Sequence, residues 1–152
     1  MLPDDVYRTK LQAAADGIRR ATERLGDAAD VQLKAEPARL RLALAPRIRG
    51  ACPLELMIRA DQRYDIEIGT EFYEDGSIGS FDEFEALIQA IADGNVVTRH
   101  HFSAATGSLR LVETVITISR DLEWRRGHNV GGSPVNTADT LVKDRTFLPY
   151  CR

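Results

Sequence analysis

From Tyr7 the apolar positions Leu11, Ala14, Ile18, Ala21 and Leu25 recur at alternating intervals of four and three. That period lays them along one stripe of a helix. Asp4 or Asp5 is placed to cap its start and Gly26 to end it, and Lys10, Asp16, Arg20 and Arg24 occupy the opposite side. The expected element is an amphipathic helix with a narrow, alanine-rich seam.

The period then changes to two. Leu40, Leu42 and Leu44 alternate with Arg39, Arg41 and Ala43, and Leu54, Leu56 and Ile58 alternate with Glu55, Met57 and Arg59. Both are patterns of strands with one face in a core. A third run places Tyr64, Ile66, Ile68, Thr70 and Phe72 on one side and Asp65, Glu67, Gly69, Glu71 and Tyr73 on the other, which predicts one long strand ending at an Asp75-Gly76 turn. Ser80 followed by Glu83 has the spacing of a capping box. Phe81, Phe84, Leu87, Ile88 and Ile91 form a wide apolar face behind it, and Gly94-Asn95 supplies a left-handed stop. A helix over Ser80 to Gly94 follows.

Residues 96–104 and 109–118, joined across Ala105 to Ser108, predict a β-hairpin whose second arm either carries a bulge or is partly covered on both faces. Parity continues through Leu122 and Trp124. Beyond Gly127 the chain turns to Gly, Ser, Asn, Thr and Pro until Phe147 to Tyr150 restore an apolar cluster. The expected fold is therefore α+β in the order α-β-β-β-α-β-β, with one antiparallel sheet, two helices on one of its faces, and a C-terminal tail. Residues 1–126 form the single domain, and 127–152 an extended tail docked at its end.

Composition adds bounds. The 152 residues carry a net charge of -3, so no overall field draws the chain to nucleic acid or to an anionic membrane. No run approaches the ~20 apolar residues of a membrane span, and the first residues lack a leader pattern, so the expected location is cytoplasmic. Arg and Ala are abundant and Lys is scarce, the mark of a GC-rich, bacterial coding sequence. Cys52 and Cys151 are expected as free thiols.

Each stretch that suggests chemistry also has a plainer structural explanation. The stretch from Glu71 to Asp82 resembles a calcium-binding EF-hand loop, with Gly76 at the sixth position, but Tyr73 stands where a carboxylate is needed and a strand precedes it. A turn feeding a capped helix explains it better. His100 and His101 are adjacent, so on a strand they point to opposite faces and do not chelate one metal. Cys52 precedes Pro53 without the cationic setting of a reactive thiolate. Gly131-Gly132 has no lysine or following helix to make a phosphate cradle. No cofactor, metal or catalytic set is assigned, and His100, His101, Cys52, Tyr64 and Trp124 stand as candidate pocket or interface residues.

The functional expectation is thus a small non-catalytic protein that binds another protein, as a homodimer, through a sheet face, an edge strand or the alanine-rich seam. The order helix, three strands, helix, two strands over residues 4–118 resembles that of bacterial type III secretion chaperones, which implies a non-enzymatic dimer. The competing expectation is a small enzyme or ligand-binding domain with its pocket between sheet and helices.

Overall fold

The computed structural model describes residues 1–131 and 135–151. Helix α1 (Asp4–Glu23) opens behind Pro3, with Asp4 and Asp5 in its first turn where negative charge favours the helix dipole, and neither acting as a side-chain cap. Its buried stripe is Tyr7, Leu11, Ala15, Ile18 and Ala21. The alanine-rich seam is therefore consumed inside the chain, with Ala15 in the place expected of Ala14.

Five strands follow: β1 (Ala29–Ala35), β2 (Leu40–Pro46), β3 (Leu54–Ile58), β4 (Arg63–Ile68) and β5 (Glu71–Ser77), antiparallel and in sequential order. The even-numbered residues of β2, β3 and β4 face inward, as their alternation requires. The expected third strand is really a hairpin. Gly69 takes φ +64°, in the left-handed region, and Ile68 pairs with Glu71 across Gly69-Thr70. Side-chain parity restarts after the turn, so Tyr73 is buried and Phe72 is exposed. Asp75-Gly76 is no turn: it lies within β5, where Glu74 and Asp75 bulge opposite Asp65 and Asp75 adopts φ +56°.

Helix α2 (Glu83–Ala92) starts three residues later than its sequence signal. Half of the capping box forms. The Glu83 carboxylate accepts from the amides of Ser80 and Gly79, although burial pushes its pKa up, while the Ser80 hydroxyl accepts from Asp82 instead of Glu83. Gly94, at φ +81°, ends the helix, and the Asn95 amide donates to Ala90 at 2.9 Å, closing a Schellman turn.

The remaining strands build a second sheet, so the expectation of one sheet is corrected. It contains β6 (Val96–Ser103), β7 (Leu109–Ser119), β8 (Leu122–Asn129) and β9 (Thr140–Thr146), in the order β8-β7-β6-β9. The expected hairpin is β6 and β7, with a bulge at Arg110 of β7 opposite the step from His101 to Phe102. The full order is α, five strands, α, four strands. Accordingly, the order on which the likeness to secretion chaperones rests is not that of the chain.

The expected extended tail is also corrected, since it supplies the end of β8 and all of β9, which pairs with β6 from Ser103↔Thr140 to Val97↔Thr146. As an edge strand solvated on both faces, β9 needs no apolar alternation, which is why it left no period to read. After it, Phe147 and Tyr150 are buried. Leu148 donates to the Gly50 carbonyl at 3.0 Å, Tyr150 to the Ala92 carbonyl at 2.8 Å, and the Tyr150 hydroxyl to the Cys52 carbonyl.

One continuous core joins α1, the inner face of the first sheet, α2, Val96, Ile116 and the C-terminal cluster. The two sheets meet at β5. There the Tyr73 hydroxyl shares a 2.7 Å hydrogen bond with Thr114, and the Trp124 indole donates to the Tyr64 hydroxyl at 3.0 Å.

Candidate functional site

Both helices cover the inner face of the first sheet, and the outer face is bare. Its side chains follow from strand parity. Lys34 of β1 lies beside Arg41 of β2, Arg41 beside Met57 of β3, and Met57 beside Asp65 of β4. In the next row Gln32, Ala43, Glu55, Glu67 and Phe72 succeed one another.

Two features set this face apart from an ordinary solvated sheet. The first is apolar exposure: Met57 is 41 % and Phe72 51 % exposed, and the slot between them, about 100 Å³, has Leu56 beneath it and Arg41, Glu55, Asp65 and Glu67 at its rim. Beside it a shallower depression of about 370 Å³ runs over Ala43 and Ala45, whose small side chains leave the backbone low. Aromatic and methionine side chains set in a charged rim are the composition of binding hot spots.

The second is polarised charge. Glu55 and Glu67 stand directly opposite each other, a like-charge pair that costs stability, and neither makes an ion pair among the described residues. Next to them a single guanidinium, Arg59, serves three carboxylates: Asp61 at 2.7 Å, Asp65 at 3.0 Å, and Asp75. The hydrogen bonds that Arg59 donates, to Asp61 first and then to Asp75, raise its pKa, and the same contact lowers that of Asp61. The β3–β4 half is therefore negative. The β1–β2 half carries Lys34 and Arg41, of which Arg41 has no carboxylate partner among the described residues.

The residues singled out from sequence do not form one site. Tyr64 and Trp124 are brought together by their hydrogen bond, Tyr64 also packing edge-on against Phe84 at 5.3 Å. This pair joins the sheets and lines no open cavity described above. Cys52 is fully buried under Tyr150, and burial pushes its thiol pKa up to about 12, the opposite of an activated nucleophile. His100 stacks on Phe102 on one face of the second sheet, and His101 faces the other way, 3.1 Å from Thr140.

The same face as His100 bears Lys143 over the Phe102 ring, and Arg126 and Arg145 stack on Tyr73 and Phe147. Sequence reasoning missed Met57 and Phe72. Met57 had the right parity to be noticed, but Phe72 was assigned to the core until the Gly69 turn reversed it.

Among the described residues no cluster of three metal-ligating side chains occurs, and no helix is long and apolar enough to cross a membrane. No family model, curated protein or solved structure matches the chain.

Proposed function

We propose that the chain is a non-catalytic, adaptor-type binding domain that works as a homodimer, joined through the outer face of its first sheet. The observation that carries this reading is the self-complementarity of that face. A two-fold axis running along β3 turns the β1–β2 half of one copy over the β4–β5 half of the other. Lys34 and Arg41 then approach the surplus carboxylates around Asp65 and Glu67, Met57 meets its own copy at the axis, and Phe72 of each copy is covered by the β1 edge of the other. An isologous contact needs such a patch on one surface, with each charge finding its opposite after rotation. Dimerisation would also cover the two most exposed apolar side chains of the sheet. The second sheet, with its cations of β8 and β9, stays free on both copies for a further protein partner.

The alternative of an enzyme or ligand-binding domain has less support. Cys52, His100 and His101 lie apart, and core side chains occupy the space between sheet and helices.

Sedimentation across a concentration series tests the proposal. The native chain is expected to run as a dimer, and Arg41→Glu and Glu67→Arg each to raise the dissociation constant by about tenfold or more, since like charges facing across an interface are costly. The combined Arg41→Glu, Glu67→Arg chain should recover most of the loss. A native chain that stays monomeric throughout, or a double reversal no better than the singles, would overturn the reading.

A further inference from the structure

His101 is almost completely buried, at 5 % exposure, and its Nε2 is a buried polar atom without a hydrogen-bond partner. Buried polar atoms are nearly always paired, so an orphan calls for a cause. The tautomer follows from the neighbouring groups. The Thr140 hydroxyl donates to the Thr137 carbonyl at 2.8 Å, and its proton is thereby committed. Its contact with His101 Nδ1 at 3.1 Å is then one in which the hydroxyl oxygen accepts and Nδ1–H donates. In the neutral ring this leaves the lone pair on Nε2.

That lone pair faces an acceptor. The nearest charged oxygen is Oε2 of Glu113 on β7, at 3.6 Å, and an ionised carboxylate has no proton to offer. Arg125 of β8 approaches the same oxygen at 3.6 Å, but it is shared with Glu123 at 3.2 Å. The other charges on this face cancel: Arg99 of β6 holds Asp144 of β9 at 2.9 Å. Asp139, in the turn before β9, is tied by its backbone to Ala104, and the flanking register neighbours of His101, Leu111 and Val142, are apolar. Glu113 is thus the charge that His101 Nε2 meets.

We propose that His101 is a proton-operated clasp that fastens β9 and the turn at Thr137–Asp139 to the β6–β7 hairpin. When the ring takes up a proton at Nε2, it donates to Thr140 through Nδ1 and to Glu113 through Nε2, spanning β9, β6 and β7 with two bonds, one of them charge-assisted. When it loses that proton, the Glu113 side becomes two acceptors facing each other in a poorly hydrated place, and β9 is held less firmly. The sign is fixed: the bond is present at low pH and lost as pH rises. What it controls is the outermost strand of the second sheet, whose Leu141 and Val142 are 64 % and 50 % exposed. This inference is independent of the proposed dimer face, which lies on the other sheet.

Side-chain nitrogen NMR of the native chain tests the tautomer without any substitution: neutral His101 is expected as the Nδ1–H form. Hydrogen exchange of the β9 amides, corrected for intrinsic rates, should be slower at low pH than at high pH by about tenfold, the change expected for gaining one charge-assisted bond. Glu113→Gln supplies an amide N–H to the neutral Nε2, so it should keep β9 protected at both pH values, whereas His101→Gln should abolish the pH dependence. A neutral ring in the Nε2–H form, or a β9 pH response that persists in both variants, would overturn the proposal. If either variant fails to fold, the native tautomer and exchange profile decide it alone.

Discussion

Cys52 shows how a single side chain records its surroundings. Burial pushes its pKa up to about 12, and Tyr150, whose hydroxyl rests on the Cys52 carbonyl, is also raised by burial. Both groups stay protonated in the folded chain at pH values where they ionise in the unfolded one. The unfolded state then binds fewer protons, and stability must fall as pH rises above about 9. We expect the denaturation midpoint to decline steadily on the alkaline side, with a shallower decline in Cys52→Ala. A thiol reagent at neutral pH should label one cysteine, the exposed Cys151, and a second only after unfolding. Gly76 makes a steric counterpart: a Cβ there would lie 2.5 Å from the Tyr64 ring. That ring cannot retreat, being packed on Phe84 and bonded to Trp124. Gly76→Ala is therefore expected to cost about 1–3 kcal/mol by overpacking, measured by chemical denaturation.

Among the elements, those with a periodic apolar face could be read from sequence. α1, β2, β3 and the β6–β7 hairpin stand where their alternation puts them, because each buries one face and leaves the other wet. The candidate binding face was only partly legible. Its charges on β2 to β4 followed from parity, yet its aromatic member depended on whether Gly69 bends the chain, and an unbroken alternation through position 73 concealed that. Both β1 and β9 escaped notice because edge strands bury little. The C-terminal element also carries a prediction. Tyr150→Ala should cost roughly 3–5 kcal/mol, as removal of a fully buried aromatic does, and Tyr150→Phe about 1–3 kcal/mol, since the Cys52 carbonyl loses its donor. Thermal unfolding that separated neither variant from the native chain would mean that the C-terminal cluster is not part of the core.

At the scale of the whole molecule, two sheets of different character are tied at a few polar points inside an otherwise apolar seam. Tyr73 with Thr114, and Tyr64 with Trp124, fix how the sheets meet, because a buried hydroxyl or indole without its partner costs more than the bond itself gains. Tyr64→Phe leaves the Trp124 N–H unpaired while retaining the ring, so it should weaken the join, lowering stability by about 1–2 kcal/mol and shifting the emission of the single tryptophan.

The bridge between Ala51 and Leu148 and the seat of Tyr150 against Cys52 connect parts of the chain nearly a hundred positions apart. During synthesis those partners leave the ribosome in order, Cys52 early and Tyr150 after every other core residue. A nascent chain that has already released both helices and the first sheet still has a vacant seat above Cys52 and Ala92. Completion of the core therefore waits on residues 147–150 to emerge, which favours late, concerted folding over stepwise folding from α1 onward.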